Sequence, residues 1–166
     1  MTHALVLAGG GVTGVAWETG VLLGLREAGH DIIGNLDLVV GTSAGSTVGA
    51  QILSGTDLAD LYATQIAEKH NEISPQLDLD ALATIFGEMA LGGTTTDEQR
   101  VRIGELALVA TTVDEATRRA VIEKRLPSHD WPTTSLILTA IDALTGEFVT
   151  WTKDSGVSIV DAVTSS

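Results

Sequence analysis

Glycine placement constrains this chain more than any other feature. Twelve of its 18 glycines fall in the first 55 residues, where they interrupt short apolar runs instead of forming a low-complexity tract. Residues 4–8, Ala-Leu-Val-Leu-Ala, form a continuous apolar run of strand length that ends in Gly9-Gly10-Gly11. Such a run predicts a strand covered on both faces. Beyond it, Val15, Trp17, Val21, Leu22 and Leu25 recur at helical spacing up to Ala28-Gly29-His30, which offers a glycine for the C′ position. Residues 36–40 repeat the pattern as a second buried strand, followed by Gly41-Thr42-Ser43-Ala44-Gly45 and a small-residue helix from about 44 to 53. Two successive units of strand, glycine turn and helix predict a parallel α/β sheet.

The rest of the chain fits around that start. From 57 to 126 the apolar positions mostly keep a helical period, with capping boxes at Thr96/Gln99 and Thr112/Glu115. Residues 135–141 return to strand character, 144–146 turn, and 147–151 form a partner strand; Ser158 opens a further helix that has had hardly two turns at Ser166. The expected fold is a three-layer α/β/α arrangement with a mostly parallel central sheet, in one domain of 166 residues, C-terminally incomplete. Within it, 1–56 carries the glycine turns, 57–128 is a helical insertion, and 129–166 holds the returning strands and the start of a helix.

Composition narrows the chemistry. With 22 acidic against 9 basic side chains, the net charge of −13 argues against nucleic acid and against electrostatic docking on anionic lipid. There is no cysteine, which removes disulfides, iron–sulfur ligation and thiol catalysis. The N-terminus lacks the basic region of a signal peptide, and no apolar stretch approaches the roughly 20 residues of a membrane span, so a cytoplasmic location is expected. The acidic clusters at Asp57/Asp60, Asp78/Asp80 and Asp97/Glu98 fit helix N-terminal turns better than metal ligation, and neither metal nor cofactor is expected.

Gly41-Thr42-Ser43-Ala44-Gly45 is a G-x-S-x-G sequence between a strand and a helix, the context of a nucleophile elbow. A serine on so sharp a turn projects its hydroxyl, Gly41 and Gly45 let neighbouring backbone approach, and the helix N-terminus favours a developing negative charge. The same turn could bind phosphate passively. Gly9, Gly11 and Gly14 also match the dinucleotide fingerprint, yet the acidic residue that would hold a ribose is missing at the end of the second strand, where Gly41-Thr42-Ser43 stands. The alternative is an oxyanion hole, its donors supplied by the backbone around Gly9, Gly10, Gly11 and Gly14. Two neighbouring parallel strands would bring both turns to one sheet edge.

The order of these two blocks resembles the patatin-like phospholipase family, in which a G-G-G-x-[RK]-G loop precedes G-x-S-x-G by some thirty residues. Residues 138–147 resemble the family's strand and turn ahead of a hairpin, and 159–166 the helix before its S-x-A-x-P segment. The resemblance implies lipid acyl-ester hydrolysis, with Ser43 as nucleophile and the 9–14 loop as oxyanion site. It also implies a Ser-Asp dyad whose aspartate lies in a D-G-[GA] block. None of the twelve aspartates here precedes a glycine, so the matching aspartate is expected outside this chain, and the chain alone is expected to be inactive or very weak. Thr13 stands where the family usually has a basic residue.

Other residues are candidates for the base. Asp142 follows a strand and would reach the active edge, but serves equally well as a turn former. His3, His30, His70 and His129 read as surface or capping residues; the α/β-hydrolase order would need one of the last two. Trp17, Phe86, Met89 and Leu91 would line an acyl-chain pocket or belong to ordinary core. The expected partner is a lipid or acyl-ester substrate, with transient contact at a membrane surface through an apolar mouth. Rival functions are acyl transfer by the same nucleophile and a non-catalytic ligand-binding or regulatory module.

Overall fold

The computed structural model describes residues 2–67, 87, 96–110 and 113–166. Its sheet has four strands in the order β1 (Ala4–Leu7), β2 (Leu38–Thr42), β3 (Ser135–Ile141) and β4 (Phe148–Trp151). The first three are parallel, with Leu7 opposite Gly41 and Gly41 opposite Leu138. The mostly parallel α/β architecture flanked by helices is therefore the one that the alternation of elements implies.

The chain forms two compact units. The first comprises residues 1–69, 115–140 and 150–166 and contains α1 (Gly11–Glu27), α2 (Ala44–Ile52), α3 (Leu58–Ile66), α5 (Glu115–Arg125) and α6 (Ile159–Ser165). Every residue of α2 is buried, which accounts for its small side chains: a Cβ added at Gly49 would lie 3.1 Å from Val39 and 3.3 Å from Leu136. Helix α1 lies against α2, α3 against α1, and α6 against α5. Leu58 and Leu61 of α3 and Ile122 of α5 are buried in the same core as Leu7, Val39 and Leu138. The ends of the expected 57–128 insertion thus belong to the sheet-bearing unit. The second unit, residues 70–114 and 141–149, includes α4 (Asp97–Val109), whose Arg100 Nε donates to the Gly146 carbonyl at 2.6 Å.

The local signals are where the sequence predicts them. Gly29, at φ +87°, ends α1: its N–H donates to the Arg26 carbonyl at 3.0 Å and the His30 N–H to the Leu25 carbonyl at 2.8 Å, a complete Schellman motif. Thr96 and Gln99 form the capping box of α4, and Ser158 caps α6. Thr112 lies outside the described residues, as do His70, Asp78, Asp80, Phe86, Met89 and Leu91.

Three expectations change. Strand β2 begins at Leu38, two residues late, and runs on through Gly41 and Thr42, because Asp37 and Leu38 both donate to the His3 carbonyl and set the register there. Strand β1 is not covered on both faces among the described residues. Leu7, Val39, Leu136 and Leu138 turn toward the core, whereas Val6 on the opposite face of this edge strand is 73% exposed. On α1 the buried stripe is Val15, Glu18, Thr19, Leu22 and Leu23, spaced i, i+3, i+4, i+7, i+8. Trp17 falls between those positions and is 67% exposed, so it is not core.

Candidate active site

Ser43 sits between the end of β2 and the start of α2, with φ +55° and ψ −111°, and is the one non-glycine residue with positive φ among the described residues. An L-residue holds such a conformation only where its surroundings force it, at a cost of about 1–3 kcal/mol. The forcing contacts are visible. The Ser43 N–H donates to Ser166 Oγ at 2.9 Å, its carbonyl accepts from Ser46 Oγ at 2.5 Å and from the Ser46 N–H at 3.0 Å, and the Gly45 N–H donates to the Ala8 carbonyl at 2.9 Å. A Cβ on Gly45 would stand 2.6 Å from the Leu7 Cβ, and one on Gly41 would stand 2.7 Å from the Ser46 Cα. The elbow glycines are thus required by close approach. Ser43 itself is exposed, at the N-terminus of the buried α2.

The first glycine turn faces this serine. A Cβ built on Gly9 would lie 3.5 Å from the Ser43 Cβ and 4.0 Å from its Oγ. Gly10 is the N-cap of α1, and no side chain among the described residues caps that helix. Gly11 has φ +59° and open space around its Cβ position, so glycine is favoured there by conformation. Gly14 packs α1 onto α2: its Cβ would sit 3.0 Å from that of Ala44. Uncapped helix N–H groups beside an exposed hydroxyl are what an oxyanion site needs. The parallel pairing of β1 and β2 brings the two turns together, as the sequence predicts.

Two flanking elements complete the edge. Thr42 and Thr139, paired in register, share a hydrogen bond of 2.7 Å between their hydroxyls. Trp151 Nε1 donates to Ser165 Oγ at 3.0 Å, and Trp131 Nε1 to the Val157 carbonyl at 2.9 Å, tying down the segment that brings Ser166 to the elbow.

One residue of this neighbourhood gives no signal in the sequence pattern. Glu18 is 6% exposed, its Oε1 accepts from the Ala8 N–H at 2.9 Å, and its Oε2 has no hydrogen-bond partner among the described residues. Burial pushes its carboxyl up, and the Ala8 hydrogen bond pulls it part of the way back.

Asp142, His129 and His30 make local structural bonds, the last through its backbone N–H. Asp142 Oδ1 accepts from the N–H groups of Leu144 and Thr145, both at 2.9 Å, which hold the carboxyl below the usual range, Thr145 most strongly. These are the bonds of a turn. His129 Nε2 is 2.8 Å from the Glu123 carbonyl, and His30 closes the Schellman motif. Asp57 caps α3 through the Ala59 N–H, and Asp97 and Glu98 lie in the first turn of α4, so these acids stand at helix starts.

A parallel α/β sheet that presents a serine on a strained strand-to-helix turn, opposite an uncapped glycine loop, defines an elbow-type serine site. The family model for patatin-like phospholipase matches residues 5–166, and the chain belongs to that family. Comparison with curated protein sequences gives no match. Among solved structures, the type III effector protein ExoU is similar at a TM-score of 0.49 and 17% identity, over 98% of this chain and 39% of that one. The chain therefore spans about two fifths of that structure's length.

Proposed function

We propose that this chain is the nucleophile-bearing part of a serine lipid acyl hydrolase. Family membership supports the lipid substrate class, and the observation that carries the reading is Gly9 lying against Ser43 at the positive-φ elbow. Ser43 Oγ attacks the ester carbonyl carbon while an aspartate, expected from the family resemblance to lie outside these 166 residues, takes its proton. The carbonyl oxygen becomes an oxyanion held by N–H groups of the 9–14 loop. Collapse expels the protonated alcohol and leaves an acyl-serine, which water cleaves to the free acid. Asp142, bound in its turn, is not the base in this reading. With a net charge of −13, contact with a lipid surface rests on apolar side chains.

A fluorophosphonate probe tests the reading on the complete protein that contains this chain. Stoichiometric labelling of wild type, none of Ser43→Ala, and none of the isolated 166 residues is the expected result. An unlabelled wild-type protein overturns it.

A further inference from the structure

Glu18 is an acid in an unfavourable place. It lies in the buried stripe of α1 with Val15, Thr19, Leu22 and Leu23, and no ion pair among the described residues includes it. A buried carboxyl without a cation is costly unless its hydrogen bonds serve the fold. A leucine or methionine at this position would continue the stripe at no such cost.

The one bond its side chain makes among the described residues explains the choice. Side chains on a helix tilt toward its N-terminus, so from the second turn of α1 Glu18 reaches back to the segment that enters the helix. There its Oε1 meets the Ala8 N–H at 2.9 Å. Ala8 is the first residue after β1, beyond the last register pair, Leu7 with Gly41, where the sheet no longer supplies partners. On its other side, the Ala8 carbonyl accepts from the Gly45 N–H at 2.9 Å. The Ala8 residue is thus held from both sides, by α1 through Glu18 and by the elbow through Gly45, and the next residue is Gly9, against Ser43.

We propose that Glu18 is a positioning residue: by fixing the Ala8 N–H it sets the direction in which the chain leaves β1, and so aims the loop amides at the oxyanion formed above Ser43. This rests on the reading of Ser43 as nucleophile. The acceptor oxygen performs the task, and a carboxamide of the same shape can replace it. The elevated carboxyl fits the same view, because Oε1 accepts from Ala8 whether or not the group carries a proton.

The test uses the complete protein and two variants. Glu18→Met keeps the volume and removes the acceptor; Glu18→Gln keeps both. Hydrogen–deuterium exchange over residues 5–13 is expected to speed up by about tenfold or more in Glu18→Met and to stay within about threefold of wild type in Glu18→Gln. Ester hydrolysis is expected to lose about 10- to 100-fold in kcat with KM unchanged in Glu18→Met, and to be retained in Glu18→Gln. A folded Glu18→Met with wild-type exchange and kcat overturns the proposal. If Glu18→Met does not fold, Glu18→Gln decides alone, because faster exchange or a lost kcat in that variant overturns it as well. Fluorophosphonate labelling of wild type separates the two readings: an unlabelled wild type removes the hydrolase and the catalytic half of this proposal, while exchange at residues 5–13 still decides the clamp.

Discussion

Replacing Ser43 by glycine separates the strain of the elbow from its chemistry. The residue is held at φ +55°, ψ −111°, and every hydrogen bond that fixes it among the described residues uses its backbone: the N–H to Ser166, and the carbonyl from Ser46 and Thr47. Both Ser43→Ala and Ser43→Gly keep those bonds and remove the hydroxyl, so they differ in the Cβ alone. A non-glycine residue there costs about 2 kcal/mol, the middle of the range for sparsely populated backbone regions. Glycine removes that cost but gives the unfolded chain more freedom, worth about 0.7 kcal/mol. The difference predicts Ser43→Gly to be about 1 kcal/mol more stable than Ser43→Ala, or roughly 2–4 °C in Tm for a domain of this size. Urea unfolding followed by tryptophan fluorescence reads it, because Trp17, Trp131 and Trp151 all lie in the unit that carries the elbow. Equal midpoints for the two variants, or a lower one for glycine, would refute the claim that the fold holds Ser43 under strain.

Three further outcomes are expected. Gly45→Ala should destabilise by about 3 kcal/mol, because the added Cβ would lie 2.6 Å from that of Leu7 and must push α2 off β1, whereas Gly24→Ala, in an open helical position, should stabilise by about 0.8 kcal/mol; the two midpoints moving together would contradict the packing argument. Asp57 lies below the ordinary carboxylate range, first through its hydrogen bond with Arg26 and then through the Ala59 N–H, so its contribution is complete above the unfolded pKa of about 3.9 and is lost as the pH falls through the lower folded value. Asp57→Asn, which keeps the α3 cap, should therefore be less stable than wild type at about pH 6, with the difference shrinking as the pH falls through the lowered folded value, and a pH-independent difference would contradict the assignment. Glu18 has the opposite sign: its raised carboxyl contributes stability below about pH 4.3, lost as the pH rises through its folded value.

The site was legible where local geometry demands particular residues. A strand-to-helix turn needs small neighbours, and Gly41, Ser43 and Gly45 declare it at fixed spacing; the glycine run after β1 declares the second turn in the same way. The parallel pairing that unites them follows from two buried strands joined by a helix. What stayed hidden depends on which side of an element meets the core. Trp17 and Val15 are both apolar on one helix, and only the packing of α1 on α2 decides that Val15 is buried and Trp17 exposed. Glu18 was missed for the reverse reason, since an acid in a helix reads as solvated face until the chain entering that helix supplies a donor for it. The Ser43–Ser166 bond was beyond reach because it joins groups 123 positions apart.

That separation has a consequence for how the elbow comes into being during synthesis. The bonds from Ser46 to Ser43 and from Gly45 to Ala8 are available once the first 50 or so residues have emerged. The acceptor for the Ser43 N–H follows 123 residues later, a delay of roughly 6–25 s at ordinary translation rates. During that interval the nascent chain carries the hydroxyl on a turn whose amide is still bonded to water. The bond from α6 is thus the last of the elbow's bonds to become available, and the order of synthesis leaves the Ser43 N–H without Ser166 until the far end of this segment has been made.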